Sequence, residues 1–181
     1  MSLSAILEAR ERRWQTKQEL VQRFRACVLS LCLNIPGPDK NPPGVERAFA
    51  LLQAALRGAH AREIEHFALK NPHGACCAAI LHEITNTGAD GPYWLMVSPL
   101  SGFTLKHMGI RLEREHPLGR LADIDILTKT GKALSRTDFG AAPRTCFLCG
   151  EPAGLCRQKK HHSQELLTDF VVSLLEKAGV R

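Results

Sequence analysis

The stretch His116-Pro117-Leu118-Gly119-Arg120-Leu121-Ala122-Asp123-Ile124-Asp125-Ile126-Leu127 constrains the fold more than any other part of the chain. Alternation of aspartate and isoleucine calls for an extended strand, because residues two apart share a face there. Ile124 and Ile126 are then expected in a core, with Asp123 and Asp125 projecting together from the other face. Two adjacent carboxylates repel, and burying them without a partner is unfavourable. A hard divalent cation such as Mg2+ relieves that repulsion and accepts carboxylate and substrate phosphate oxygens as ligands. Gly119 allows a backbone turn to approach a ligand closely, and Arg120 offers a fork of donors suited to phosphate. Turn glycine, basic residue, short gap and Asp-x-Asp strand is how a nucleotidyltransferase holds a metal and a triphosphate. By itself, a bare Asp-x-Asp more often marks an edge strand with two solvated aspartates, so the surrounding residues decide.

A second constellation lies downstream: Cys146-x-x-Cys149, then Cys156, then His161-His162. Soft thiolates and imidazole at short spacing favour tetrahedral zinc. Three cysteines and a histidine would close a structural site with no open position. Unligated core cysteines are the other reading. Thiol redox chemistry lacks support, since no thioredoxin-like βαβ pattern surrounds the pair. The basic run Arg157-Gln158-Lys159-Lys160 reads as a solvated loop, with steering of phosphates as the other option.

The words His-Pro-Leu-Gly-Arg-Leu-x-Asp-Ile-Asp, Leu134-Ser135-Arg136-x-Asp138-Phe139 and Pro143-Arg144-x-Cys146-x-Leu148-Cys149 occur in that order. Together they resemble the apo-citrate lyase phosphoribosyl-dephospho-CoA transferases, the citrate lyase holo-acyl-carrier-protein synthases. The strong resemblance covers residues 105–162, and Pro36-Gly37-Pro38 with Lys40 adds a weaker one. It implies transfer of the phosphoribosyl-dephospho-CoA group from 2'-(5''-triphosphoribosyl)-3'-dephospho-CoA to a serine of the citrate lyase acyl-carrier subunit, with release of pyrophosphate. It implies Mg2+ on Asp123 and Asp125, with Arg120 at the phosphates. Gly119, Arg136, Asp138, Arg144 and Lys40 would contact substrate, and zinc would sit on Cys146, Cys149, Cys156 and His162. The alternatives are the same chemistry on another carrier, such as that of malonate decarboxylase, and a non-catalytic, zinc-stabilised carrier-binding module.

With 181 residues the chain is expected to form one domain, residues 1–181, with a knuckle at 146–162. A formal net charge of +6 favours acidic partners. Aromatics make up only 6% of residues, which leaves little for base stacking, so no nucleic-acid partner is expected. No apolar run is long enough to span a bilayer, and Met1–Arg13 has no apolar segment of the kind a secretory signal needs. Seven cysteines in such a chain fit a reducing cytoplasm.

Apolar periodicity predicts helices over 3–25, 45–61, about 99–115 and 165–177. Strands are predicted over 27–35, 76–85 and 93–97, with a short one at 62–70 and a hairpin pairing 124–127 with 133–136. Cys76 and Cys77 read as packed thiols, Ala122 is expected to point away from the core, and His116 is expected to shape a turn. The run Arg10-Glu11-Arg12-Arg13 reads as a solvated helix face, with the sharper option that one arginine reaches a substrate phosphate. The expected class is α+β: a mixed sheet flanked by helices, nucleotidyltransferase-like, ending in the Cys/His knuckle and a helix.

Overall fold

The computed structural model describes residues 2–70 and 80–181. Helix α1 spans Leu3–Phe24 and starts at Ser2, whose hydroxyl accepts the Ala5 N–H at 3.2 Å. Strand β1 (Cys27–Leu33) follows after Arg25, whose left-handed backbone ends the helix. Strands β2 (His82–Gly88), β3 (Gly91–Ser98) and β4 (Ala122–Leu127) complete a sheet of order β2-β3-β1-β4. The α+β class is as expected, but all three pairings are antiparallel, where a mixed sheet was anticipated. Helix α2 spans Val45–Lys70 and α3 spans Gly102–Glu115. A short helix α4 (Ala153–Gln158) precedes α5 (Gln164–Lys177).

β1 is central and buried along its whole length, so its side chains serve two cores. Leu29, Leu31 and Leu33 join α2, α3 and α5 through Leu52, Leu56, Leu105, Met108 and Leu175. Val28 faces the opposite way, against Leu20 and Val21 of α1. β4 lies at the sheet edge beside β1, and its alternation decides its faces: Ile124 and Ile126 enter the larger core while Asp123 and Asp125 stay exposed. Ala122 shares the parity of Ile124 and is fully buried, a correction to its expected outward orientation.

Three further expectations change. Residues 62–70 continue α2 instead of forming a strand, because Ile64 extends the buried stripe of Leu52, Leu56 and His60 by one more turn. The expected hairpin after β4 reduces to a single bridge between Leu127 and Ala133, and Thr137–Phe139 forms a 3-10 turn. The β2–β3 hairpin does form, but its turn is tighter than expected, with Gly88 opposite Gly91. Cys76, Cys77 and the first half of the strand expected at 76–85 lie outside the described residues.

Candidate active site

Antiparallel register places Asp123 opposite Cys32 and Asp125 opposite Ser30, so both carboxylates lie on the α1 side of the sheet. Lys17, buried on the apolar stripe of α1, brings its ammonium 3.6 Å from Asp125. Arg144 approaches Asp123 at 3.5 Å from the other direction. Asp123 keeps about half of its side chain exposed, but the walls around it partly desolvate its carboxyl, which with the neighbouring charge of Asp125 holds it above the usual carboxylate range, while Arg144, Arg13 and Lys17 oppose that shift. Cys32 adjoins them, but burial pushes its thiol up to about 11, so at neutral pH it is a protonated packing group and no nucleophile.

Asp123 lines a depression of about 360 Å3 whose other walls carry Arg10, Arg13, Lys17, Lys40, Arg157 and Asp90. Five basic side chains against two aspartates make it an anion-binding cavity by composition. Lys40 of the Pro-Gly loop lines the same depression as Asp123. Its ammonium donates to the Ile35 carbonyl, and its pKa is lowered by burial and by Arg10. Arg13 forms an ion pair with Asp90, which is buried in the β2–β3 turn, and its guanidinium lies 5.6 Å from the Tyr93 ring. The run at 10–13 is thus split: Arg10 and Arg13 face the cavity, while Arg12 pairs with Glu8 at the surface.

Removing Arg13 leaves Asp90 as an uncompensated buried charge. Arg13→Ala is therefore expected to lower stability by about 3 kcal/mol or more, and chemical denaturation measures this directly. Suppressing Asp90 as well should recover much of the loss. If the double variant proved no more stable than Arg13→Ala, the pairing account would be wrong.

A second depression, about 410 Å3, includes Arg144, the partner of Asp123, in its lining. Glu113, Arg114, Gly119, Arg120, Arg136 and Arg144 line it with the small residues 140–142. Glu113 is nearly buried and receives both Arg136 and Arg144, one on each carboxylate oxygen. Arg136 also donates to the Ala142 carbonyl at 3.2 Å. Gly119 is required here for a different reason than approach to a ligand: an added Cβ would lie 2.4 Å from the Leu112 carbonyl oxygen at the end of α3. Arg120 lines the same cavity while its guanidinium donates to the Thr145 and Cys146 carbonyls at 3.1 and 2.8 Å and stacks over Phe147. Asp138 is exposed and lines neither depression; its carboxylate accepts the Ser135 N–H at 2.9 Å, a hydrogen bond that holds its own pKa down. His116 shapes its turn, with Nδ1 accepting the Leu118 N–H at 3.1 Å.

Sequence reasoning missed Lys17, Asp90, Lys106 and Glu113. Lys106 is buried, donates to the Ile124 carbonyl at 3.2 Å, and has its pKa lowered by burial. The available signal was a lysine on the apolar stripe of an amphipathic helix, which needs a buried partner. Lys17 and Lys106 both fit that description.

Cys146, Cys149, Cys156 and His162 converge, with one potential ligand atom from each lying within 4.8 Å of the others. Cys146 and Cys156 approach to 3.4 Å between sulfurs. The Nε2 of His162 is buried with no hydrogen-bond partner among the described residues, as expected of an imidazole whose partner is an ion. This donor set suits a metal such as zinc. His161 lies outside it, 3.4 Å from Glu151. The Arg120–Phe147 contact, and the stacking of Phe147 on Phe170 of α5, tie the cluster to the second depression.

Among the described residues, no helix is long and apolar enough to cross a membrane. Comparison with known proteins gives matches along nearly the whole chain. A Streptococcus pyogenes protein named probable apo-citrate lyase phosphoribosyl-dephospho-CoA transferase is 30% identical, over 97% of this chain and 85% of its own length. An Escherichia coli protein named apo-citrate lyase phosphoribosyl-dephospho-CoA transferase is 31% identical, over 94% of this chain and 85% of its own. A Haemophilus influenzae protein named Protein CitXG is 33% identical, and there the match takes in 97% of this chain but only 35% of the longer relative. The family model for apo-citrate lyase phosphoribosyl-dephospho-CoA transferase matches residues 1–178, and with these relatives it shows that the chain belongs to that family.

Proposed function

We propose that this protein is a nucleotidyltransferase that attaches the phosphoribosyl-dephospho-CoA group to a serine of the citrate lyase acyl-carrier subunit. The observation that carries this reading is that Asp123, which shares a sheet face with Asp125, lines a cavity with five basic side chains. The family's description supports a phosphoribosyl-dephospho-CoA group as cargo and citrate lyase as acceptor, and the donor in this reading is 2'-(5''-triphosphoribosyl)-3'-dephospho-CoA. The names of the relatives favour the citrate lyase carrier over that of malonate decarboxylase and over a non-catalytic module.

The carrier serine oxygen attacks the α-phosphorus, the bond to the β-phosphate breaks, and pyrophosphate leaves. Such transfers depend on charge stabilisation and alignment more than on covalent help from the protein. Arg10, Arg13, Lys17, Lys40 and Arg157 hold the triphosphate and receive the leaving pyrophosphate. Arg144, beside Asp123, faces charge that builds at the α-phosphate. One of the two aspartates takes the serine proton. Arg120 acts chiefly by fixing the 145–146 backbone at the cavity wall, and Arg136 by holding Glu113. Gly119 and Asp138 set the local backbone.

Asp123 and Asp125 are the residues that would hold Mg2+: desolvation, and after it the neighbouring Asp125 charge, raise the Asp123 pKa even with Arg144, Arg13 and Lys17 nearby, a penalty that a cation would relieve. When bound, Mg2+ neutralises phosphate charge. Cys146, Cys149, Cys156 and His162 would hold one structural zinc with no open position.

Mass spectrometry of the carrier after incubation with enzyme, Mg2+ and the triphosphoribosyl donor tests the reading. The expected result is a mass gain equal to phosphoribosyl-dephospho-CoA on one serine, with pyrophosphate released in equal amount. An unmodified citrate lyase carrier alongside a modified malonate decarboxylase carrier would overturn the acceptor assignment. For the second metal, elemental analysis of untagged protein should find about one zinc per chain. Cys149→Ser should lose that zinc and melt at a lower temperature. Protein purified without any transition metal would sink the zinc assignment.

A further inference from the structure

The two depressions share no lining residue, and Arg144 of the second lies 3.5 Å from Asp123 of the first. Each carries more positive charge than its own carboxylates neutralise. In the second depression, four arginines face a single glutamate, Glu113, and that carboxylate is already shared by Arg136 and Arg144. Arg114 is exposed at the same wall and has no hydrogen-bond or ion-pair partner among the described residues. Arginines so concentrated, in a concave site with low-dielectric walls, focus a field that an anion would satisfy. The volume of about 410 Å3 falls within the range of small-molecule sites.

We propose that the Arg114–Arg120–Arg136–Arg144 depression is a second anion subsite, which binds the diphosphate bridge of the donor's dephospho-CoA part while the first depression holds its triphosphate. This rests on the donor assigned above. That donor carries two separate anionic groups: the 5''-triphosphate on the added ribose, and the 5'-diphosphate joining adenosine to the pantetheine arm. The reacting α-phosphorus must lie at the aspartates, which assigns the triphosphate to the cavity that Asp123 lines. The remainder of the donor then has to cross the Arg144 boundary, and the next basic surface it meets is the second depression. There, Gly140, Ala141, Ala142 and Pro143 give a wall of small side chains with room for the sugar and base. Guanidinium is the suitable donor for such a group, because its fork bonds phosphate oxygens in pairs. In this arrangement Arg144 holds both halves of one donor in register.

The test uses the full chain and two probes, inorganic tripolyphosphate and 3'-dephospho-CoA, in calorimetric titration at fixed ionic strength. The wild type is expected to bind both at once, with saturating tripolyphosphate changing the Kd of dephospho-CoA by less than about fivefold. Arg114→Glu should weaken dephospho-CoA by about tenfold or more and leave tripolyphosphate within about twofold, and Arg10→Glu should do the reverse. Circular dichroism and the melting temperature confirm that each variant is folded. Mutual exclusion of the probes would overturn the proposal, as would absence of saturable dephospho-CoA binding. So would an Arg114→Glu variant that binds both probes normally and raises only the KM for the carrier; the depression would then be a docking edge for the acidic carrier protein. The carrier mass assay on wild type separates the two readings. Independent probe binding without carrier modification would count against the transferase function, whereas carrier modification with mutually exclusive probes would count against the second subsite.

Discussion

Metal-free Asp123→Asn should melt at or slightly above the wild type at pH 7, because solvent screens much of the penalty at a half-exposed side chain, yet transfer the prosthetic group about 10³-fold more slowly, the scale on which one preorganised charge-stabilising group acts. The stability half follows from linkage. The folded pKa of Asp123 lies above its unfolded value because of burial and Asp125. In the interval between those two values the folded protein holds the proton and the unfolded chain does not. Stability therefore falls as pH rises through that interval and stays lower above it. Asparagine removes the charge and with it the penalty. Part of the gain is offset by weakening the 3.5 Å contact to Arg144. The activity half follows from losing one of the two carboxylates assigned to Mg2+. Added Mg2+ should accordingly raise the melting temperature of the wild type more than that of the variant. Two measurements check this: a melting series from pH 4 to 8, and initial rates at saturating donor and carrier. Near-normal turnover would remove Asp123 from the chemistry, and a melting temperature well below wild type at pH 7 would show that Arg144, not Asp125, dominates its environment.

Gly119→Ala is expected to be the most damaging glycine-to-alanine change among the described residues. The new Cβ would sit 2.4 and 2.7 Å from the carbonyl oxygens of Leu112 and Glu113 and 2.9 Å from the Glu113 carbonyl carbon. All three are backbone atoms at the end of α3, so no side chain can swing aside. Overpacking of this kind costs about 3 kcal/mol or more. Relief by moving the 116–120 turn would shift Glu113, and with it the anchor of Arg136 and Arg144. Loss of stability and loss of activity should therefore come together, in contrast to Asp123→Asn. Gly154→Ala serves as the control, since no atom lies within 4 Å of its Cβ position and it sits inside α4. Equal denaturation midpoints for Gly119→Ala and Gly154→Ala would disprove the close-approach account.

Local patterning determined a good part of this protein without reference to tertiary structure. The period of two at 123–126 set a strand with its aspartates on one face. The apolar periods of α1, α3 and α5 set amphipathic helices, and the spacing of three cysteines before His162 set a metal-type cluster. These features depend on neighbours a few residues apart, and such information is carried by the chain itself. Of the residues in the family words, Arg120, Arg136 and Arg144 line one cavity, Lys40 of the separate Pro-Gly word lines the other, and Asp138 accepts a hydrogen bond within a turn.

What only the tertiary structure decided is which distant charges share a space. Lys17 meets Asp125 across helix and sheet, Arg13 meets Asp90 across 77 positions, and Glu113 gathers two arginines from a loop more than twenty residues away. No local pattern encodes those meetings, since each depends on how α1, α3 and the loop pack on the sheet. The same holds for the role of Gly119. Its sequence position suggested a ligand, but the object that comes close is the last turn of α3. The division of the basic residues into two cavities is of this kind too. Net charge is a sum over the sequence, whereas a cavity collects whichever charges the packing brings to one wall.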